Sequence, residues 1–170
     1  LFLEENARKT ALSLMSLAAN KPIHLPTVET TEEERWDAFE KTMGTNRLYM
    51  FDHFGSTSID NIVARCRYMA KALDTKFLFL DHVSIVVSAQ SNGDERKALD
   101  EIATKLKTLT IELNIWLGMV SHSKRPTGKS HEEGGQTSLS ELRGTAGIGQ
   151  LSNMVLGLER DGQNPDPTVR

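Results

Sequence analysis

The 170-residue sequence holds one cysteine, Cys66, so no internal disulfide is available to it and a reducing compartment is the expected setting. It contains no apolar run near the roughly 18 residues that cross a bilayer, which gives no expectation of a membrane-spanning segment. The opening Leu1-Phe2-Leu3 is too short for a secretory signal and has no basic residues ahead of it. Net positive charge is also lacking: 20 Lys and Arg stand against 23 Asp and Glu, for a formal charge of −3. Any grip on nucleic acid must therefore come from a local patch. No internal repeat or low-complexity tract interrupts the chain. An initiator Met is absent, and the apolar triplet running straight into Glu4-Glu5 reads as entry in mid-strand, which gives the expectation of a fragment.

What is present is the patterning of one soluble domain with 38% hydrophobic and 25% charged residues. Residues 1–3 read as a strand end, and Glu5 to about Leu17 as a helix with Ala7, Leu12, Leu14, Met15 and Ala18 near helical spacing. After Pro22 and Pro26, Thr30 or Thr31 offers a helix cap with Glu33 and Glu34 as box partners, and Gly44 ends that helix. Leu48–Phe51 reads as a strand. Ser58 starts a helix carrying Ile62, Val63, Cys66, Met69 and Leu73 on one face. Lys76–Leu80 is a second apolar strand, Asp94–Leu113 a long helix, and Ile115–Val120 a third strand. A short helix follows Ser138–Glu141, then a strand-like run at Met154–Leu158, and Pro165 and Pro167 mark a closing loop. Unbroken apolar strands separated by helices predict an α/β fold with a mainly parallel sheet covered on both faces.

Ligands in such sheets bind beyond the carboxyl ends of the strands, and those positions here are polar. Glu4 follows the first strand, Asp81 and His82 follow Phe77-Leu78-Phe79-Leu80, and Ser121 and His122 follow the last. Asp81 has the placement of a carboxylate that holds a hydrated magnesium ion, though strands also end in Asp for turn chemistry alone. Glu4 could orient an attacking water, or simply complement a helix start. His122 could hydrogen-bond a γ-phosphate, or be an ordinary turn residue. From Ser121 to His131 the composition changes abruptly: Lys124, Arg125 and Lys129, with His122 and His131 and the flexible Gly128, meet no acid until Glu132. Without interleaved aromatics, such a segment would hold phosphates by charge and hydrogen bonding, the alternative being a solvated surface loop.

Three stretches considered together carry a more specific signal: LFLEENARKT, the run FLFLDHVSIVVSAQSNGDERKALDEIATKLKTLTIELNIWLGMVSHSKRP, and HEEGGQTSLSELRGTAGIGQLSNMVLGLER. They closely resemble the RecA-like helicase domain of short-tailed phage bifunctional primase-helicases, a family akin to the DnaB-type and mitochondrial Twinkle replicative helicases. The likeness is strong from about Leu48 to Arg160 and thin between Pro22 and Arg47. It implies a RecA-like P-loop NTPase core occupying residues 1–170. Glu4 then matches the family's catalytic glutamate, Asp81 its magnesium-site carboxylate, and His122 the histidine that couples phosphate state to the DNA loop. Lys124, Arg125, Lys129 and His131 match that DNA-contacting loop, and Arg143 and Gly144 a further channel-facing loop. Gln150 and Arg160 match residues near the nucleotide.

Two departures from the family pattern stand out: the segment Ser121–His131 is shorter by a residue, and Gly149 stands where a basic residue is frequent. Moreover, no G-x-x-x-x-G-K-[ST] occurs in the chain. The resemblance thus places the phosphate-binding loop upstream of Leu1 and the arginine finger downstream of Arg170, with an upstream strand belonging inside the sheet.

The implied function is NTP-driven unwinding of duplex DNA at a replication fork by a ring translocating on single-stranded DNA. The alternatives are a RecA-class strand-exchange recombinase and a non-catalytic DNA-binding relic. Implied cofactors are Mg2+ with ATP or another NTP, dTTP included. Implied partners are single-stranded DNA, further copies in a homo-hexamer, a fused or associated primase and a replicative DNA polymerase, with no membrane. The expected compartment is the cytoplasm, that of the host if the protein is phage-encoded, in preference to the mitochondrion. The 170 residues by themselves are expected not to hydrolyse nucleotide, which a phosphate-release assay checks. In the full-length protein, replacing Lys124 and Lys129 with Ala should weaken single-stranded DNA binding and flatten its salt dependence by about 0.7 in log–log slope for each phosphate no longer neutralised. A titration across salt concentrations in which the slope is unchanged would remove the segment from the DNA interface.

Overall fold

In the computed structural model, residues 1–52, 57–88, 95–122 and 146–158 are described. The elements in chain order are α1 (Ala7–Ala19), α2 (Glu32–Lys41), a 3-10 turn (Met43–Thr45), α3 (Ile59–Ala72), β1 (Phe77–Leu80), α4 (Val83–Ser88), α5 (Glu95–Leu113), β2 (Trp116–Met119) and α6 (Ala146–Leu151). The chain divides into two units, Leu1–Gly55 with Phe79–Asp81, and Ser56–Leu78 with His82–Arg170.

In the first unit the opening triplet pairs alongside the end of β1. The Leu1 nitrogen donates to the Phe79 carbonyl at 2.9 Å, Asp81 N–H to the Leu1 carbonyl at 2.9 Å, and Leu3 N–H to the Asp81 carbonyl at 2.7 Å. Phe2 forms parallel bridges with Asp81 on one side and Asp52 on the other. The order across this ladder is therefore second, first, third in chain order, and Leu3 and Leu80 are fully buried within it. α1 begins at Asn6, whose side chain accepts from Lys9 N–H at 2.9 Å. α2 begins with the expected capping box: Thr31 Oγ1 accepts from Glu34 N–H at 3.1 Å while Glu34 Oε2 accepts from Thr31 N–H at 2.9 Å. Lys21 ties the preceding linker to this helix through both Glu34 carboxylate oxygens, at 2.8 and 2.9 Å. That hydrogen bond, the largest contribution, holds the Glu34 carboxyl below its ordinary pKa.

The second unit is a crossover built on an apolar interior. α3 starts at Ser58, whose hydroxyl accepts from Asn61 N–H at 3.3 Å, and buries Ile59, Ile62, Cys66 and Met69. α5 buries Leu99, Ile102, Ala103, Leu106 and Leu109, the spacing of one helical face. Arg67 pairs with Glu112 at 2.6 Å and Lys105 with Asp60 at 3.0 Å. Since both pairs join residues 45 positions apart, the two helices run parallel, as consecutive crossovers on one face of a parallel sheet require. Being exposed, these pairs set register more than stability. β1 and β2 are neighbours in a small parallel sheet, held at one end by Trp116 N–H to the Lys76 carbonyl at 2.8 Å and beyond the other by Val83 N–H to the Val120 carbonyl at 3.1 Å.

Several expectations need correction. Among the described residues Leu48–Phe51 does not form a strand: a bridge is seen next to it, at Asp52, and Leu48 and Tyr49 are exposed, leaving little to reward a longer ladder. Met154–Leu158 is likewise not a strand among the described residues; its apolar side chains are exposed and no ladder partner is paired with it. β1 is not covered on both faces, because burial alternates along it, with Leu78 and Leu80 inside and Phe77 and Phe79 at 69% and 56% exposure. A period-2 strand inevitably presents alternate residues to opposite faces, and only one of those faces is packed here. Gly44 is not the stop for α2, which ends at Lys41 and passes through Thr42 into the 3-10 turn that contains Gly44. The chain reverses instead at Asn20, Asn46, Asp74 and Asn114, all at φ between 49° and 54°, where a short polar side chain tolerates the left-handed region. α4, a six-residue helix placing Val83, Val86 and Val87 in the interior, had no sequence expectation. No helix among the described residues is long and apolar enough to cross a membrane.

The Cys66 side chain has no exposed surface, and burial pushes its thiol up to about 11 from an ordinary 9.0. The unfolded chain thus gives up this proton before the folded one does, so the thiol's contribution to stability is whole below about pH 9 and is lost as pH climbs toward 11. Denaturant titrations should show a loss on the order of 2 kcal/mol across that window, absent in Cys66→Ala, and the native thiol should resist disulfide reagents at pH 8. An unchanged pH profile in the Ala variant, or rapid native labelling, would contradict the packing.

Candidate functional site at the carboxyl ends of the strands

The strand order in the first unit determines where chemistry is best sited. From the Phe2 strand the chain moves to one side, to Asp52, then returns to the other, to β1, so the reversal of winding lies between the triplet and β1. Open parallel sheets bind ligands beyond the carboxyl ends of the strands at such a reversal. Leu3 and Asp81 are hydrogen-bonded at that end, which places Glu4 and Asp81 there together, as the sequence predicted. Glu4 is exposed on a bend immediately after the fully buried Leu3, and Asp81 is half-buried. The backbone of Asp81 is committed to the ladder through both its N–H and its carbonyl. Its position is thus set by main-chain pairing on the side of the triplet. Glu5, the second acid of the pair, is occupied by Lys9 at 2.7 Å, one helical turn on.

In the second unit, His122 is exposed just past β2. Its ring lies edge-on to that of His82, with centroids 4.3 Å apart and planes at 78°. His82 is only 6% exposed. The spacing of the sequence identified Asp81-His82 as a strand end but gave no role to His82; the signal was the imidazole directly after the acid. Gln150 is exposed on α6. Lys124, Arg125, Lys129, His131, Arg143, Gly144 and Arg160 lie outside the described residues.

A separate cleft of about 430 Å³ opens between α5, β2 and α6, walled by Leu106, Trp116, Met119, Ile148 and Val155. Among the described residues Lys107 is its one titratable lining residue, and it is held by the Asn153 side chain at 2.7 Å. Its described lining residues include no carboxylate to hold magnesium or to orient an attacking water. The strand-end carboxylates are therefore the better candidate.

This arrangement of acids at a winding reversal is shared by many nucleotide-binding proteins, and comparison of the whole chain narrows it. Residues 2–168 match the model of the DnaB-like helicase C terminal domain. The chain belongs to that family. It is 34% identical over 174 residues to the DNA helicase/primase of Enterobacteria phage T3, covering 98% of this chain and 30% of that protein. It is similar to the replicative DNA helicase DnaB of Leifsonia xyli, at 25% identity over 94% of this chain and 35% of the relative, and to that of Rickettsia typhi, at 26% over 94% and 32%. The chain spans about a third of the length of these curated relatives. As a DnaB-like helicase domain, its RecA-like character agrees with the parallel pairing and crossovers above.

The donor set at the end of β1 suits a hard cation. Asp81 is half-buried and Glu4 exposed at the same ends of neighbouring strands, and magnesium is typically held by one or two carboxylates, with substrate phosphate oxygens and water completing its shell.

Proposed function

We propose that this domain belongs to a replicative DNA helicase in which NTP hydrolysis between subunits of a ring drives translocation along single-stranded DNA. The reading is supported most directly by Glu4 and Asp81 standing together at the winding reversal of a parallel sheet in a DnaB-like domain. Asp81 would hold magnesium, which when bound neutralises charge on the phosphates and fixes their orientation. Glu4, being exposed at the strand end, accepts a hydrogen bond from the attacking water and orients it toward the γ-phosphorus. His122 hydrogen-bonds the γ-phosphate and changes partner when that group leaves, shifting the cationic segment that starts two residues later at Lys124. Lys124, Arg125, Lys129 and His131, with Arg143 and Gly144, contact the DNA backbone; Gln150 and Arg160 face the nucleotide. The substrate is ATP or another NTP, dTTP included. A homo-hexamer is the proposed assembly, with a fused or associated primase and a replicative polymerase as further partners, working in the cytoplasm.

In the full-length protein, Glu4→Gln should lower NTP turnover by about 100-fold or more while leaving ring assembly and DNA binding intact. Asp81→Asn should do the same and shift the magnesium dependence upward. Steady-state hydrolysis with sedimentation of the variants checks both, and near-normal turnover in either would overturn its assignment.

A further inference from the structure

The contact between His82 and His122 is not used by any step above, and its geometry is informative. Beyond β2, His122 is an exposed side chain on a segment without regular structure, where an isolated imidazole would sample several rotamers. His82 is buried and sits between the end of β1 and α4, whose Val83, Val86 and Val87 are all in the interior. The hydrogen bond from Val83 N–H to the Val120 carbonyl, at 3.1 Å, fastens the backbone immediately after His82 to the backbone two residues before His122. One ring is therefore fixed by the core, and the other is brought against it in the edge-to-face arrangement that aromatic rings prefer. A group that reports on a phosphate by hydrogen bonding gains from such restraint, since a donor already aimed loses less freedom when its partner arrives.

We propose that His82 is a positioning residue that fixes the ring of His122 and so couples nucleotide state to the DNA-contacting segment. This rests on the reading of His122 as the γ-phosphate sensor. The coupling acts through ring shape: what His122 requires from position 82 is a planar edge, not a second proton carrier. Without that edge, the coupling between nucleotide binding and DNA binding is weakened.

The test compares the full-length protein with its His82→Phe, His82→Leu and His122→Ala variants, measuring kcat and KM for ATP or dTTP with magnesium, with and without a saturating single-stranded oligonucleotide. His82→Leu fills the site without a ring edge and should lose about tenfold of the DNA stimulation of kcat, a typical coupling between sites, with KM and oligonucleotide affinity unchanged. His82→Phe restores a planar edge and should keep most of the stimulation. Equal loss in the Phe and Leu variants, or full stimulation in Leu, would overturn the positioning role. If the Leu variant does not assemble, the Phe variant decides alone: retained stimulation supports the ring pairing, and its disappearance refutes it. Full stimulation in His122→Ala would instead sink the sensor assignment itself, separately from the ring pairing.

Discussion

The pairing of Leu1–Leu3 against the end of β1 sets the arrangement on which the rest depends. Three main-chain hydrogen bonds connect this triplet to Phe79 and Asp81, and a bridge on its far side joins Phe2 to Asp52. Because the triplet is first in sequence and inner in space, its insertion determines where the winding of the sheet reverses. The same bonds bring Leu3 level with Asp81, so that two acids distant in sequence emerge together at the polar end of neighbouring strands. Burial of Leu3 and Leu80 beneath them makes this alignment hard to slip, since a displacement by one residue would turn buried leucines outward.

On the other unit, order comes from parallel helices. The faces of α3 and α5 meet the requirements of a crossover, each burying residues at helical spacing while exposed ion pairs at matched offsets maintain their register. α4 continues this logic in six residues. By sending three valines inward it makes the segment after β1 part of the interior, and His82, directly before them, is buried with it.

Much of this was legible in the sequence, for identifiable reasons. Thr31 with Glu34, and Ser58 ahead of an apolar periodicity, are local signals whose partners lie within one turn, and both appear where expected. The apolar run ending at Asp81 marked a strand, and β1 stands there. The failures are those in which the decisive partner is remote. Leu48–Phe51 and Met154–Leu158 have strand-like composition, but a strand exists only by virtue of its neighbour, and composition does not supply one. The apolar content of β1 suggested cover on both sides, yet its second face is open, because hydrophobicity records what a residue favours and not what arrives to cover it. Val83–Ser88 was missed since β-branched residues disguise a short helix. His82 went unassigned because an edge-on ring pairing spanning 40 positions leaves no trace in spacing.

The left-handed turns at Asn20, Asn46, Asp74 and Asn114 have a consequence for evolution of the domain. Each closes or follows a helix with a residue that endures a positive φ at some cost, so the accepted alphabet at these sites is narrow: Asn, Asp or Gly, while valine or isoleucine would meet a penalty of about 1–2 kcal/mol. Drift at these places is thus constrained by backbone sterics without any tie to nucleotide or DNA. Invariance there among related proteins would speak of chain reversal, and should be discounted when searching the family for residues that touch a ligand.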